Sequence, residues 1–403
     1  MSDYGVSVKI ARLGVPLLLL VMAGSAWAGA SEADLQEVYV VQNSEFTGQF
    51  PTGFVRSLDL SPDGKMLAVE FEVWEGEGLA GIWITLWDVD KQCLQTAKRL
   101  EGPDTEVGNY PQYGYRVQFT LDGHLLLVLT GPRLVALSLP DLEVSYAIEA
   151  PAHEDPGAMF IYKFSVAAGT NRVALLYVPH RVFGTSFDVQ VADLENGKLG
   201  ERWHGAGQAS NIALSPDGAT VAVPIVSGLA RSGENKCLLF DARSGERIRT
   251  ITTLYATGDV LFLDEGTQLL TIPQYHEAPE YYPTDTVKVW NVSSGELLSE
   301  FGYGKEGMRG VVSASRDGTR LAATTTWSNP SDIRWDRDNI RGFTRFLLWE
   351  TTSRKQLFVS SDLSGQMQPY VGESSDFLIR LSADGTRLAV GGELISVYSI
   401  ASK

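Results

Sequence analysis

The sequence is poor in cysteine and in basic residues, and each shortage excludes a class of protein. Its 403 residues include two cysteines, Cys93 and Cys237, without a Cys-x-x-Cys pair or the Cys/His spacing of a zinc site. We therefore expect two free thiols, buried or half-buried. Lysine and arginine number 33 against 49 acidic residues, a net charge of −16. Because nucleic-acid binding needs a dense basic surface, we expect no DNA or RNA partner.

Motifs that identify enzymes are also missing from the sequence. It has no Walker loop, no Gly-x-Gly-x-x-Gly after a strand, no Gly-x-Ser-x-Gly elbow, no His-Glu-x-x-His and no haem attachment motif. No cofactor is predicted, and a non-enzymatic function is favoured.

Long apolar runs are absent except at the N-terminus. There, Lys9 and Arg12 precede an apolar stretch over 13–23, and Ala26-Trp27-Ala28 has the form of a signal-peptidase site. Residues 1–28 are therefore predicted to be a signal peptide cleaved after Ala28, which makes the protein periplasmic or secreted and leaves it no membrane contact. An uncleaved anchor is the alternative, although Gly, Ala, Ser and Pro dilute the run.

Glycine, by contrast, is abundant, with 40 residues, and many of them lie in a repeated turn. The repeat has an apolar run, a turn of the form Ser-x-Asp-Gly, and a second apolar run. Clear copies of the turn occur at 61–64, 120–123, 215–218, 315–318 and 382–385, and weaker ones at 168–170 and 264–266. Asp bonds to its own backbone in a turn and Gly accepts a positive φ, so each copy predicts a β-hairpin.

A second motif follows each hairpin and completes a unit of four strands. An aromatic or aliphatic residue is followed by a polar residue and a tight turn, as in Leu86-Trp87-Asp88 and Val289-Trp290-Asn291. Over residues 36–403 these motifs resemble the WD-repeat and related bacterial propeller families, although the Gly-His pair of true WD repeats is missing. The resemblance implies an all-β fold, a seven-bladed β-propeller of four-stranded antiparallel blades over residues 29–403. The last blade lacks an outer strand, and we expect the strand-like segment 37–45 to supply it.

Long insertions fall on one side of this predicted disc. With the strands of a blade lettered a to d from the axis outwards, the a–b and c–d turns lie on one face, the turn face. The b–c and d–a connections lie on the other, the loop face. The long b–c loops are 73–81, 227–235, 274–285 and 327–343, and the long d–a loops are 102–115, 151–160 and 363–376. Binding residues concentrate in loops held by a rigid scaffold, so this face is the predicted binding surface.

Aromatic and arginine residues, which dominate interface hot spots, cluster in these loops. The predicted partner-binding residues are Trp327, Arg334, Trp335, Arg337, Arg341, Tyr275, Tyr281, Tyr282 and Tyr113. A loop held down by its own aromatic residues is the alternative interpretation. His153, His180 and His276 are weak candidates for a metal site at the channel mouth, but they come from different blades without ligand spacing, so no metal is predicted.

Two functions remain open. The first is a scaffold that binds a protein or peptide through the loop face. The second is a periplasmic propeller enzyme of the lactonase or lyase type, or the cofactor-free subunit of a dehydrogenase, with its site at the channel mouth. Because one fold can host many functions, the fold alone does not decide between these two.

Overall fold

A computed structural model describes residues 35–42, 53–75, 78–100, 116–130, 133–150, 159–179, 186–226, 235–253, 257–273, 286–302, 312–327, 343–353, 355–360, 378–391 and 394–401. The chain divides into two units, residues 1–31 and 32–403, and the described residues belong to the second. They form 29 β-strands and one 3₁₀ turn, Asp264–Gly266. Within the described residues, no helix is long and apolar enough to cross a membrane.

The strands form seven antiparallel sheets, which are the blades. Blade 1 contains β2 (Gly53–Leu60), β3 (Met66–Glu75), β4 (Gly78–Asp88) and β5 (Cys93–Leu100). Blade 2 contains β6 (Arg116–Phe119), β7 (Leu125–Leu129), β8 (Arg133–Ser138) and β9 (Glu143–Glu149). Blade 3 contains β10 (Met159–Val166), β11 (Arg172–Pro179), β12 (Ser186–Asp193) and β13 (Leu199–Ala206).

The innermost strand of blade 4 is interrupted. That blade contains β14 (Gln208–Ala209), β15 (Ala213–Leu214), β16 (Thr220–Val226), β17 (Asn235–Asp241) and β18 (Arg247–Thr253), and both β14 and β15 pair with β16. Blade 5 contains β19 (Thr257–Leu263), β20 (Gln268–Pro273), β21 (Thr286–Asn291) and β22 (Leu297–Gly302). Blade 6 contains β23 (Val312–Ala314), β24 (Arg320–Trp327), β25 (Phe343–Glu350) and β26 (Lys355–Val359).

Blade 7 joins the two ends of the sheet region. Its order is β27 (Leu378–Leu381), β28 (Arg387–Gly391), β29 (Leu394–Ile400) and then β1 (Leu35–Gln42), which pairs with β29 from Leu35↔Ile400 to Gln42↔Leu394. The predicted closure of the last blade by the N-terminal strand is therefore confirmed, as is the seven-bladed all-β fold.

The core lies between blades. Seven apolar clusters are found among the described residues, and each joins one blade to the next. The cluster that closes the ring packs Leu58 and Phe71 of blade 1 against Tyr39, Val41 and Val397 of blade 7. Because a four-stranded sheet has two apolar faces, it buries both only between two neighbours, and burial is worth roughly 1.5–3 kcal/mol for a large aliphatic side chain.

The Ser-x-Asp-Gly turns share one hydrogen-bond network. In the first copy, Ser61 Oγ donates to Asp63 Oδ1 at 2.7 Å and accepts from Met66 N at 2.9 Å, while Lys65 N donates to the same carboxylate oxygen at 3.1 Å. Gly64 has φ +68, the left-handed region that favours glycine. The turns at 120–123, 215–218, 315–318 and 382–385 repeat these bonds.

Neighbouring a–b turns also bond to each other, which places them on one face. Gly169 N donates to Pro216 O at 2.8 Å, Arg316 N to Ala383 O at 2.8 Å, and Asp384 N to Pro62 O at 3.3 Å. On the same face, the polar residue that ends strand c caps the c–d turn. Lys91 N, for example, donates to Asp88 Oδ1 at 2.8 Å.

The cysteines are both free thiols. Cys237 is fully buried between blades 4 and 5, and burial raises its pKa to about 12. Cys93 is exposed at the start of β5, so its predicted burial was wrong. The c–d turn that precedes β5 leaves this residue at the rim of blade 1.

Candidate functional site

The predicted loop-face residues lie almost entirely outside the described residues. This applies to Arg334, Trp335, Arg337, Arg341, Tyr275, Tyr281, Tyr282 and Tyr113. The backbone of Trp327 is described, and it forms the last residue of β24, paired with Phe343 at the start of β25. The blade-six loop therefore starts from a paired stem, and the binding role of these residues stays a prediction.

The candidate metal-binding histidines are also outside the part of the chain that the structure describes. This applies to His153, His180 and His276. His204, on β13, has Nδ1 2.8 Å from Asp188 Oδ1, and Arg202 Nε lies 3.5 Å from the other oxygen of that carboxylate. Among the residues that the structure describes, no group of three or more His, Cys, Asp or Glu is arranged to hold a metal.

One predicted loop is largely strand. Residues 73–81 continue the hairpin of β3 and β4, with Val73↔Gly81, Trp74↔Leu79 and Glu75↔Gly78 paired. Only 76–77 separate the two strands. The other long connections begin where a paired strand ends, at Val226, Pro273 and Trp327 on the b–c side. The contrast between capped turns on one face and long connections on the other remains.

The axial ends of the blade junctions form a second candidate site. On three innermost strands, the residue two positions before the first residue of the a–b turn (Ser61, Ala167 or Ser315) bonds to the following blade. Asp59, Ser165 and Ser313 hold this position and face Ala68, Ala174 and Ala322 on the next strand. Each accepts a backbone N–H from the following blade: Asp59 Oδ2 from Phe119 N at 2.8 Å, Ser165 Oγ from Leu214 N at 3.1 Å, and Ser313 Oγ from Leu381 N at 2.9 Å.

Asp59 therefore accepts with a carboxylate, at the junction of blades 1 and 2, a backbone hydrogen bond that a serine hydroxyl accepts at two other junctions. Asp59 is 9% exposed, and burial raises its pKa to about 6, although Arg380, the Phe119 N–H and Arg116 favour its charged form. Burial likewise lowers the pKa of Arg116 to about 10, with the charge of Arg380 acting in the same direction and Asp59 and Asp259 opposing it. These groups thus lie close enough to act on one another in a poorly hydrated place.

We name Asp59, Arg116, Gln118, Asp259 and Arg380 the axial cluster. Arg116 Nη1 donates to Phe164 O at 3.1 Å, and its guanidinium carbon lies 5.3 Å from the Phe164 ring centroid. Asp259 accepts from Asn211 Nδ2 at 2.7 Å, and Arg380 Nη1 donates to Ile379 O at 2.8 Å. Sequence reasoning missed this cluster, although charged residues on otherwise apolar innermost strands were a usable signal.

Comparison with known proteins supports the fold. No family model and no characterised protein sequence matches the chain. Among solved structures, it is similar to the Cps50 (Swd1) β-propeller domain of Myceliophteria thermophila, with a TM-score of 0.57 and 12% identity over 91% of this chain and 100% of that chain. It is also similar to a chain of the mitotic checkpoint complex, with a TM-score of 0.57 and 15% identity over 99% of this chain and 100% of that chain.

Both similar chains are WD-repeat propellers. At these identities the likeness concerns the fold alone. The chain has the fold of a WD-repeat-like seven-bladed β-propeller.

Proposed function

We propose that the protein is an exported scaffold that binds a protein or peptide through its loop face. The observation that carries this proposal is the contrast between the two faces. Every described copy of the Ser-x-Asp-Gly turn uses its side chains in internal hydrogen bonds. The long connections, whose sequences are rich in Trp, Tyr and Arg, all join strand ends on the opposite face.

The similar structures agree with a scaffold function. One of them is part of the mitotic checkpoint complex, an assembly of proteins. A propeller suits such a function because its core lies between blades, so loops can change without loss of packing. No observation on the described residues favours the enzymatic alternative over binding.

The test is affinity capture with loop and turn variants. In the first variant, a short Gly-Ser linker replaces 328–342, and the paired stem at Trp327 and Phe343 is kept. The control replaces Lys65 and Arg316, two exposed residues of the turn face, by Ala. We expect the loop variant to lose a partner captured from the source cell's envelope fraction, and the control to retain it.

Folding of both variants is checked by their melting temperatures. A folded loop variant that captures the partner as well as the wild-type protein would contradict the loop-face proposal. Loss of the partner in the turn variant alone would move the binding surface to the other face.

Export is part of the proposal and has its own test. We expect the mature protein to begin at Gly29, because small residues at Ala26 and Ala28 fit a signal-peptidase site. N-terminal sequencing of exported protein measures this directly. Ala28→Arg should block cleavage, and an intact N-terminus in the exported wild-type protein would refute the signal peptide.

A further inference from the structure

The axial cluster contains polar atoms that the fold does not satisfy. Arg116 Nε and Gln118 Oε1 are buried, and neither has a hydrogen-bond partner among the described residues. The two residues are separated by one position on β6, so their side chains leave the same side of the strand. A buried donor and a buried acceptor without partners are each unfavourable, so a bound group that satisfies both is favourable.

The charges of the cluster are not satisfied by direct pairing. Among the described residues, no ion pair joins Arg116 or Arg380 to Asp59 or Asp259. Both arginines nevertheless lower the pKa of Asp59, and both aspartates raise the pKa of Arg116. The opposite charges thus influence one another without a direct ion pair among the described residues, so a group that contacts both signs would satisfy them.

The kind of bridging group follows from the balance of charges. Two guanidinium groups and two carboxylates sum to zero, so a net anion or cation would leave an uncompensated charge in a buried place. Arg116 donates a hydrogen bond from Nη1 to Phe164 O, so the edge of its guanidinium at Nε can still donate to a ligand. A carboxylate is the anion that a guanidinium binds in bidentate fashion. Gln118 Oε1 and the carboxylate of Asp59 accept hydrogen bonds, as an ammonium group requires.

We propose that the axial cluster binds a small zwitterion of the α-amino acid class. Its carboxylate contacts Arg116 and Arg380, and its ammonium group contacts Gln118 and Asp59. The site does not depend on the loop-face scaffold function, because all of its residues belong to innermost strands.

Glycine is the probe, and acetate and methylammonium are matched half-ligands. With the full mature chain, we expect glycine to raise the melting temperature and to shift the ¹⁵N signal of Arg116 Nε, both with one saturable isotherm. Saturation separates binding from the osmolyte effect of glycine, which rises without a plateau. Each half-ligand satisfies one half of the cluster and should bind at least roughly tenfold more weakly.

Two variants assign the site. Arg116→Met removes the carboxylate contact, and Gln118→Leu removes an ammonium contact, and each should weaken glycine binding by roughly tenfold or more. Arg133→Gln, at a half-exposed residue that starts β8 outside the axial cluster, is the control and should bind glycine as the wild-type protein does. If Arg116→Met does not fold, Gln118→Leu and the half-ligands still decide.

Three results would overturn the proposal. The first is the absence of a saturable response to glycine, which would leave water as the only occupant of the cluster. The second is binding of acetate as tight as that of glycine, which would show a plain anion site. The third is unchanged glycine binding in a folded Gln118→Leu or Arg116→Met variant.

Discussion

Replacement of Asp59 by Asn should stabilise the protein at neutral pH. The pKa of Asp59 is raised from 3.8 to about 6 by burial. A shift of about two pH units corresponds to about 3 kcal/mol, at 1.36 kcal/mol per unit. Asn resembles the protonated acid, and its Oδ1 can still accept the Phe119 N–H that Asp59 binds at 2.8 Å. Asp59→Asn therefore removes the cost of a buried charge and keeps the cap.

The sign of the pH dependence follows from linkage. Between pH values of about 4 and 6, the folded protein retains a proton on Asp59 that the unfolded chain has lost, so stability falls as the pH rises. The variant lacks this group, and its advantage should be near zero at pH 4 and complete at pH 7.5. With unfolding entropy of about 2.1 cal/mol/K per residue over 32–403, about 3 kcal/mol corresponds to a rise of about 4 °C.

Calorimetric melting temperatures of the wild-type protein and Asp59→Asn from pH 4 to 8 measure the effect. Asp59→Ala is the control, because it removes both the charge and the cap of Phe119 N, and it should be less stable than Asp59→Asn at every pH. If Asp59→Asn melts below the wild-type protein at pH 7.5, or if the difference does not change with pH, burial does not dominate the energy of this carboxylate.

Three further predictions follow from the turns and the closing strand. Gly245→Ala should destabilise the protein far more than Gly123→Ala, which should cost about 1–2 kcal/mol. Both glycines have φ +69, but a Cβ at 245 would lie 2.3 Å from Trp203 Cγ, whereas a Cβ at 123 would have nothing within 4 Å. Equal melting temperatures of the two variants would refute the steric argument. The pKa values are lowered for the turn carboxylates Asp63, Asp122, Asp317 and Asp384, because hydrogen bonds, first from the turn Ser or Thr hydroxyl, outweigh the effect of burial. Their contribution to stability is therefore present above a pH of about 4 and is lost as the pH falls below it. An acid titration followed by circular dichroism should be shallower for Asp384→Asn than for the wild-type protein, and an identical curve would contradict this. Val41→Asp should lower the melting temperature sharply, because Val41 is fully buried where β1 closes blade 7. Gln36 is exposed on the same strand, so Gln36→Asp should leave the melting temperature nearly unchanged. Equal effects of the two variants would argue against closure by β1.

The sequence predicted the fold well because the determinants of the blades are local. The Ser-x-Asp-Gly turn needs one hydroxyl, one carboxylate and one glycine within four residues, and all three bond or bend within that stretch. Closure was also predictable, since the last repeat lacked one strand and 37–45 had no other position. Sequence alone placed that strand slightly late, because β1 covers Leu35–Gln42.

Features set by contacts between distant residues were not predictable. Blade 4 interrupts its innermost strand near Asn211, whose Nδ2 donates to Gly258 O at 3.1 Å and to Asp259 at 2.7 Å in blade 5. The bulge near the end of strand c, as between Leu86 and Trp87, also depends on pairing with strand d. Residues 73–81 were interpreted as a loop although β3 and β4 pair through most of them.

The axial cluster shows why a site can escape sequence analysis of a repeat protein. The turn is the feature that recurs in the sequence, whereas Asp59, Gln118 and Arg380 of the cluster lie at a register where the copies differ from one another. Ser165 and Ser313 cap the following blade without charge, so the charge of Asp59 is not needed for the fold. A costly group that the fold does not need is typical of a functional site, because selection for stability alone would remove it. The melting temperature of Asp59→Asn and the glycine affinity of that variant therefore form one test: a more stable protein that binds glycine more weakly is the outcome that a functional carboxylate requires.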